Sequence, residues 1–487
     1  MTIPHLTQTK PKPRFPKDYK VDPHTLAVGR YGTLDMANIW GDEKTFEYSL
    51  HCQAQSSLLL SEEYPDIVPP EHASEIEAAA TLKVIDPDRI RKIEADTGHD
   101  MIAINTSIEE KVSNAAASHV NKGKTSGDTT VNAQGLQIKE SLEVIAGSVE
   151  NLRDITIEKS LLWIDVPFMD TTHLYDAVPS VAGRAFAHYA EMLQSGLNLL
   201  RYVYDNSIIG KWGDMTGNHH SVNSLGIDGM ALQELYCEGL GLGHMIASAQ
   251  IPGLEFQADV VYVMARLGET INNLAKYVAW GRSDDVNVFV NLNPKKKKGS
   301  STAPHKDAKN GNPTAEEQVM SVRNYLMGNM TTALANCELP YARNLAASSN
   351  SRINFEEGFK YLDHGIRRLG IIMHHLGIRE ERSEERVTRS YGVVTSPQVL
   401  TYLTDHRRAN DPMTRSQAHD LLGTLATQAW DTQTNFTDVL LECPDVTSRL
   451  DSGTIREISD PMQYLGESKR IIQKVADKCY QEQTVGV

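Results

Sequence analysis

The densest chemistry in this chain is a pair of serine hydroxyls near a lysine, in a loop that opens onto a helix. The stretch is Gly299–Asn312, GSSTAPHKDAKNGN, preceded by the lysine run Lys295–Lys298. A Gly/Ser/Pro loop of this kind can turn backbone N–H groups and the Lys306 cation toward a single anion. Ser300 and Ser301 stand where a hydroxyl can be drawn into that field. The same residue types also make an ordinary solvated loop. Asn312 can cap the following helix with Pro313 at its first position, or the cap shifts to Thr314, paired with Glu317 as a capping box.

Four other stretches carry groups suited to anions. Arg30-Tyr31 precedes a helical pattern; an arginine forks onto phosphate with a tyrosine hydroxyl beside it, or serves an ion pair and a core contact. His99 follows Gly98 at a break between two helical stretches, where an imidazole can reach a cleft. Lys124–Asp128, KTSGD, is a polar turn whose Thr125 and Ser126 hydroxyls can cap a helix or bind a carboxylate. Arg343, Ser348 and Arg352 fall in YARNLAASSNSR, which reads as an interhelix stretch and as a solvated connector equally well. The histidine pairs His219-His220 and His374-His375 would diverge by about 100° on a helix, so neither chelates one metal. With no HExxH and no paired cysteines, no metal is assigned.

Long helices must hold these groups. Phe186, Tyr189, Leu193, Leu197, Leu200 and Tyr204 form one 3/4-spaced stripe. Val260, Val263, Leu267, Ile271, Leu274 and Val278 form a second, in a helix from about Gly253 to Trp280. Val322, Leu326 and Met330 begin a third after the serine loop. Such stripes are core, and helices of this length pack along one another as a bundle. Ile90, Ile93, Thr97, Met101 and Ile104 keep the same spacing across the Gly98-His99 break. Gly210–Leu225 is a glycine-rich interruption, and from about Gly377 the segments become shorter and more charged. No convincing strand alternation is found; Val394–Leu403 comes nearest, and its part after Pro397 also suits a helix. Residues 1–23 read as an extended Pro/Lys/Arg arm.

The totals exclude some classes. The 487 residues carry a net charge of −15, which argues against general nucleic-acid binding while leaving room for a locally positive pocket. Five scattered cysteines, no apolar run of membrane length and no signal-peptide core suggest a soluble cytoplasmic protein with no membrane partner.

GSSTAPHK followed by Asn312-Pro313 resembles the signature loop of the fumarase/aspartase superfamily, GSSxMPxKxNP. RYGTLDMANIW, DTGHDMIA, KTSGD, MDTTHLYDAVP, the Arg343…Ser348…Arg352 spacing and DPMQYLG are similar, in order, to segments of the adenylosuccinate lyase branch. The resemblance spans roughly Arg30–Lys474. It implies an all-α fold in three regions: 1–123, N-terminal; 124–376, the central long-helix bundle with the signature loop at 295–312; and 377–487, C-terminal. It also implies a homotetramer whose active sites combine residues of several subunits, and no cofactor. The implied reaction is β-elimination of fumarate from adenylosuccinate, and from its carboxamide-ribotide counterpart. Ser300 would be the base, His173 the acid, and Lys306 the cation on the carboxylate that gains charge. His99, Asp100, Thr125 and Ser126 would orient the succinyl carboxylates, with Asn218 and Gln250 nearby. Arg30, Tyr31, Arg343, Ser348 and Arg352 would hold the nucleotide, chiefly its phosphate. The chain departs from the family at Ala303, in the lengthening Asp307–Gly311, at Leu174 and Tyr175 where Gly and Gln are usual, and at Asn344 and Ala347. A different N-succinyl or aspartate-derived substrate is the alternative reading.

Overall fold

The computed structural model describes residues 28–293, 300–309, 311–338 and 342–482. The N-terminal arm, the lysine run and Gly299 lie outside them. The fold is all-α, as expected, and five helices dominate: Gly127–Leu162, Gly183–Asn206, Glu255–Gly281, Thr314–Asn336 and Leu345–His374. Two of the five, 127–162 and 345–374, were not anticipated as long helices. The polar run AASSNS reads as a connector, yet Leu345 opens a helix of 30 residues. The Asn344 side chain accepts from the Ala346 amide at 2.8 Å and supplies the local start signal.

The chain divides into two compact units, each with its own core. The first comprises residues 1–151, 195–273 and 318–369. Its small helices pack Leu50, Ile76, Ile90, Ile93 and Ile104 together. Asp86 caps the 87–97 helix with Pro87 at its first position, and Gly98 ends that helix at φ 69°, a left-handed value that glycine adopts freely. The long-helix stripes are buried here as their spacing requires: Val260, Val263, Leu267, Ile271, Val322 and Leu326 are each at most 1% exposed. Each such burial contributes roughly 1.5–3 kcal/mol. The stripe ends are wetter; Tyr204 is half-buried and donates its hydroxyl to Glu143 at 2.6 Å.

A buried polar network ties two loops of this unit together. Asp128 and Lys211 are fully buried and paired. The Asp128 carboxylate also accepts from the amides of Thr125, Gly213 and Asp214 at 2.9, 2.9 and 3.1 Å. Asn132 exchanges two 2.8 Å hydrogen bonds with the Lys211 backbone. A carboxylate met by an ammonium and three N–H donors offsets the cost of burying both charges.

The second unit comprises residues 152–194, 274–317 and 370–487. Trp163, Phe168, Phe186 and Phe289 form its aromatic core, with ring centroids 5.1–6.1 Å apart. A second cluster gathers Val399, Leu403, Leu422, Phe436, Leu440 and Ile455 from the short C-terminal helices. Pro397 lies in the first turn of a helix, Ser396–Thr404, which settles the Val394–Leu403 ambiguity.

The expectation of no strands fails at one place that matters. Pro167–Thr172 pairs antiparallel with Tyr175–Val181. The two-residue connection is His173-Leu174, with φ of 53° and 70°. Two consecutive positive φ values are the signature of a tight hairpin turn whose usual sequence is Asn-Gly. His-Leu carries no such signal, and Pro179 inside the second strand further masks it.

Candidate active site

In the second unit the signature loop forms a turn. Ser300 accepts from the amides of Ala303 and Thr302 at 3.0 and 3.3 Å. Negative charge on that oxygen would therefore meet two N–H donors already in place, the stabilisation an alkoxide needs. Ser301 is exposed. Pro304–Lys309 winds as a 3-10 turn, and the Gly311 amide returns to the Lys306 carbonyl at 2.8 Å. The Lys306 ammonium then donates to the Asn312 side-chain oxygen at 3.1 Å. Lys306 and Asn312 thus meet on either side of the inserted stretch. The helix opens at Thr314, and the Glu317 amide donates to the Pro313 carbonyl at 2.9 Å. On the sequence Asn312 reads as a cap and as part of the signature-loop resemblance; its contact with Lys306 is not foreseen there.

His173 stands at the hairpin tip and is exposed. The hairpin base is fixed by Arg184 on Asp170 at 3.1 Å and by Ser383 on the Pro167 carbonyl at 2.5 Å. Burial raises the Asp170 carboxyl, against the pull of Arg184.

In the first unit a cavity of about 500 Å³ brings together Asp100, Arg343, Ser348 and Arg352. Ser348 and Arg352 are four apart near the start of the 345–374 helix, so they share a face. Arg352 reaches Asp100 at 3.4 Å. Arg343 is held below the usual arginine range by burial and then by the nearby Arg352 charge, with Asp100 opposing. Arg343 and Arg352 make a local cationic pair beside Asp100, in a wall that also carries Arg91, Asp42, Glu94 and Glu356. The Thr125-Ser126 turn abuts this place: a Cβ at Gly127 would lie 2.9 Å from the Gln250 carbonyl oxygen and 3.6 Å from the Arg343 guanidinium.

Thr125, Ser126 and Gln250 adjoin the cavity without lining it, and Arg30, Tyr31, His99 and Asn218 do not line it either. His99 caps the 100–109 helix, its Nδ1 accepting from Met101 and Ile102 at 3.2 and 3.4 Å. With Nδ1 taken up by the cap, Nε2 is the ring nitrogen left for another partner. Asn218 is exposed and bonds to Thr216 at 3.0 Å. Tyr31 lies edge-on to Tyr361 and His364 at 5.9 and 5.8 Å. The Arg30-Tyr31 segment is anchored beyond itself: Thr33 donates to the buried Asp363 at 2.6 Å, and Arg367 bridges Asp363 and Asp35. His364 accompanies this anchor through a hydrogen bond with the Gly32 backbone, and burial brings it down to about 4. Asp363 and Asp128 were not singled out on the sequence; beside near neighbours, each also meets a distant partner, Thr33 for Asp363 and Lys211 for Asp128.

Residues 34–328 match the family described as Lyase, and residues 392–475 match the adenylosuccinate lyase C-terminus. Adenylosuccinate lyase of Methanocaldococcus jannaschii is 26% identical over 447 residues, covering 92% of this chain and 94% of that protein. The Streptococcus mutans enzyme of the same name is 25% identical, covering 92% and 99%. Among solved structures, a fumarate lyase from Mesorhizobium sp. BNC1 superposes with TM-score 0.78 at 18% identity, covering 92% of this chain and 98% of that one. The 3-carboxy-cis,cis-muconate lactonizing enzyme from Pseudomonas putida gives 0.79 at 19%, covering 94% and 99%. The latter two speak to the fold alone. The chain belongs to the lyase family, within the fumarase/aspartase superfamily, and groups there with the adenylosuccinate lyases.

Proposed function

We propose that this lyase eliminates fumarate from adenylosuccinate to give AMP, and from the succinylcarboxamide ribotide to give its carboxamide product. The observation that carries the reading is the Ser300 oxygen held by two loop amides in a turn where Lys306 meets Asn312. In this reading Ser300, as alkoxide, takes the proton α to one succinyl carboxylate. The electron pair forms the double bond of fumarate as the carbon–nitrogen bond breaks. His173 gives its proton to the departing nitrogen. Lys306 meets the charge that develops on the carboxylate. Arg343, Ser348 and Arg352 hold the phosphate through charge-assisted and hydroxyl hydrogen bonds, with Arg30 and Tyr31 completing that role. His99, Asp100, Thr125, Ser126, Asn218 and Gln250 orient the succinyl group. The phosphate grip makes remote binding energy available for the chemical step.

The complete site is that of a cytoplasmic homotetramer, built from three-region subunits (1–123, 124–376, 377–487) that each lend residues to shared sites. No cofactor takes part. The test is fumarate release by the purified protein from adenylosuccinate, with argininosuccinate as control and His173→Ala as the matched variant. Release from adenylosuccinate alone, lost in His173→Ala, supports the reading. Release from argininosuccinate alone would assign another substrate, to which the departures at Leu174 and Tyr175 would then be the first guide.

A further inference from the structure

One short helix of the second unit, Glu380–Thr388, grips the hairpin that carries His173, and it does so at two levels. At the hairpin base, Ser383 donates to the Pro167 carbonyl at 2.5 Å. Near the tip the grip is ionic. Thr172 pairs with Tyr175 to close the His173-Leu174 turn, and Thr171 pairs with Asp176 directly beneath it. One Asp176 oxygen accepts from Arg386 Nη2 at 2.9 Å. The other accepts from Arg389 Nη2 and Nε at 2.6 and 3.2 Å.

The surroundings make this clamp stiff. The Arg386 side chain is 6% exposed and that of Asp176 19%, so water screens their pairing little. The Arg386 guanidinium also lies 5.9 Å from the Trp280 ring centre, a second contact that restricts it. The helix is itself braced. Arg379 donates to the Asn287 side-chain oxygen at 2.7 Å and Arg382 to the Asp285 carbonyl at 3.2 Å.

The turn needs such support. His173 and Leu174 both have positive φ, which side-chain-bearing residues adopt at a cost. A backbone of that kind persists where the structure around it over-determines it. The hairpin's own turn sequence does not hold the tip; the contacts beneath it do.

We infer that Asp176, gripped by Arg386 and Arg389, is a positioning residue for the elimination: the clamp fixes the hairpin tip and so the imidazole that protonates the departing nitrogen. The inference rests on the reading of His173 as that acid. A displacement of about 1 Å in a reacting group can cost about 100-fold in rate.

The test combines steady-state fumarate release from adenylosuccinate with hydrogen exchange across residues 170–178, on the full-length protein shown to be folded. Asp176→Asn and Arg386→Gln should each lower kcat by about tenfold or more and leave KM within about twofold. The double variant should be no worse than the poorer single one, because both changes break one contact. Exchange across 170–178 should accelerate in all three, while the Thr314–Asn336 helix is unchanged. Because Arg386 is buried and its loss can unfold the unit, Arg389→Gln is the second variant. Its side chain is 43% exposed, and it should fold normally and lose about threefold in kcat. Near-normal kcat in folded Asp176→Asn and Arg389→Gln, beside an inactive His173→Ala, overturns the proposal alone. So does a loss confined to KM, or unchanged exchange across 170–178. An active His173→Ala is the separate failure of the acid reading, and it overturns the catalytic role of the clamp even where exchange accelerates.

Discussion

Replacing Asp128 by Asn tests the reasoning about how the first unit positions its loops. The substitution keeps the shape and removes the charge. Lys211 is then left fully buried without its counter-ion, and the amides of Gly213 and Asp214 lose a charged acceptor. Breaking one partner of a buried ion pair costs about 3–5 kcal/mol. The cost falls locally, because the carboxylate joins the 211–221 segment to the first turn of the 127–162 helix. Native-state hydrogen exchange reads such local openings directly. Exchange at Gly213 and Asp214 should accelerate by about 100-fold or more, since about 1.4 kcal/mol corresponds to tenfold. Amides in the Ile76–Ile104 cluster should be little changed. Adding Lys211→Met to Asp128→Asn should recover part of the loss, as an apolar replacement removes the stranded charge. Acceleration below about tenfold, or no recovery in the double variant, would refute the claim that this pair clamps the two loops.

Three further outcomes follow from particular contacts. His364 is neutral in the fold down to about pH 4, whereas its unfolded value is 6.5. The unfolded chain therefore binds the extra proton first, and stability falls as pH drops from 6.5 toward 4. His364→Gln should flatten that part of the pH–stability curve by roughly 2–3 kcal/mol, read from denaturant midpoints; an unchanged acid limb contradicts it. Arg352→Ala should weaken nucleotide binding by about 1.5–3 kcal/mol in a calorimetric titration, and unchanged affinity would remove Arg352 from the phosphate site. At the hairpin turn, Leu174 sits at φ 70°. Leu174→Gly should leave the thermal midpoint equal or higher. Leu174→Val should lower it, with a stability loss of about 1 kcal/mol or more, because a β-branched residue tolerates that backbone poorly. The reverse order would show that the turn is not as described.

What could be read from sequence was what repeats or caps locally. The stripes through Leu197, Val263 and Leu326 predict their own burial, because 3/4 spacing leaves them one face. The Gly98-His99 break was legible, since glycine ends one helix and the histidine begins the next. The hairpin was not: His173-Leu174 adopts a turn normally written Asn-Gly, so the local code is silent where the fold imposes the geometry. Ser348 and Arg352 could be picked out by spacing, but the AASSNS run hid the helix that puts them on one face. The meeting of Lys306 with Asn312 across the inserted residues, and the anchoring of the Arg30-Tyr31 segment through Asp363, are tertiary facts. In the anchor, Thr33 and Asp363 are 330 residues apart, which no local pattern encodes.

The central claim is that Ser300, held by the signature-turn amides, starts an elimination from a succinylated purine nucleotide. Its most direct test is the stoichiometry of products from adenylosuccinate, wild type against Ser300→Ala, with both proteins shown to be folded and in the same oligomeric state. The account predicts fumarate and AMP in equal amounts from the wild type and neither from the variant. Near-normal fumarate release by Ser300→Ala would contradict it, and the base would then have to be sought elsewhere.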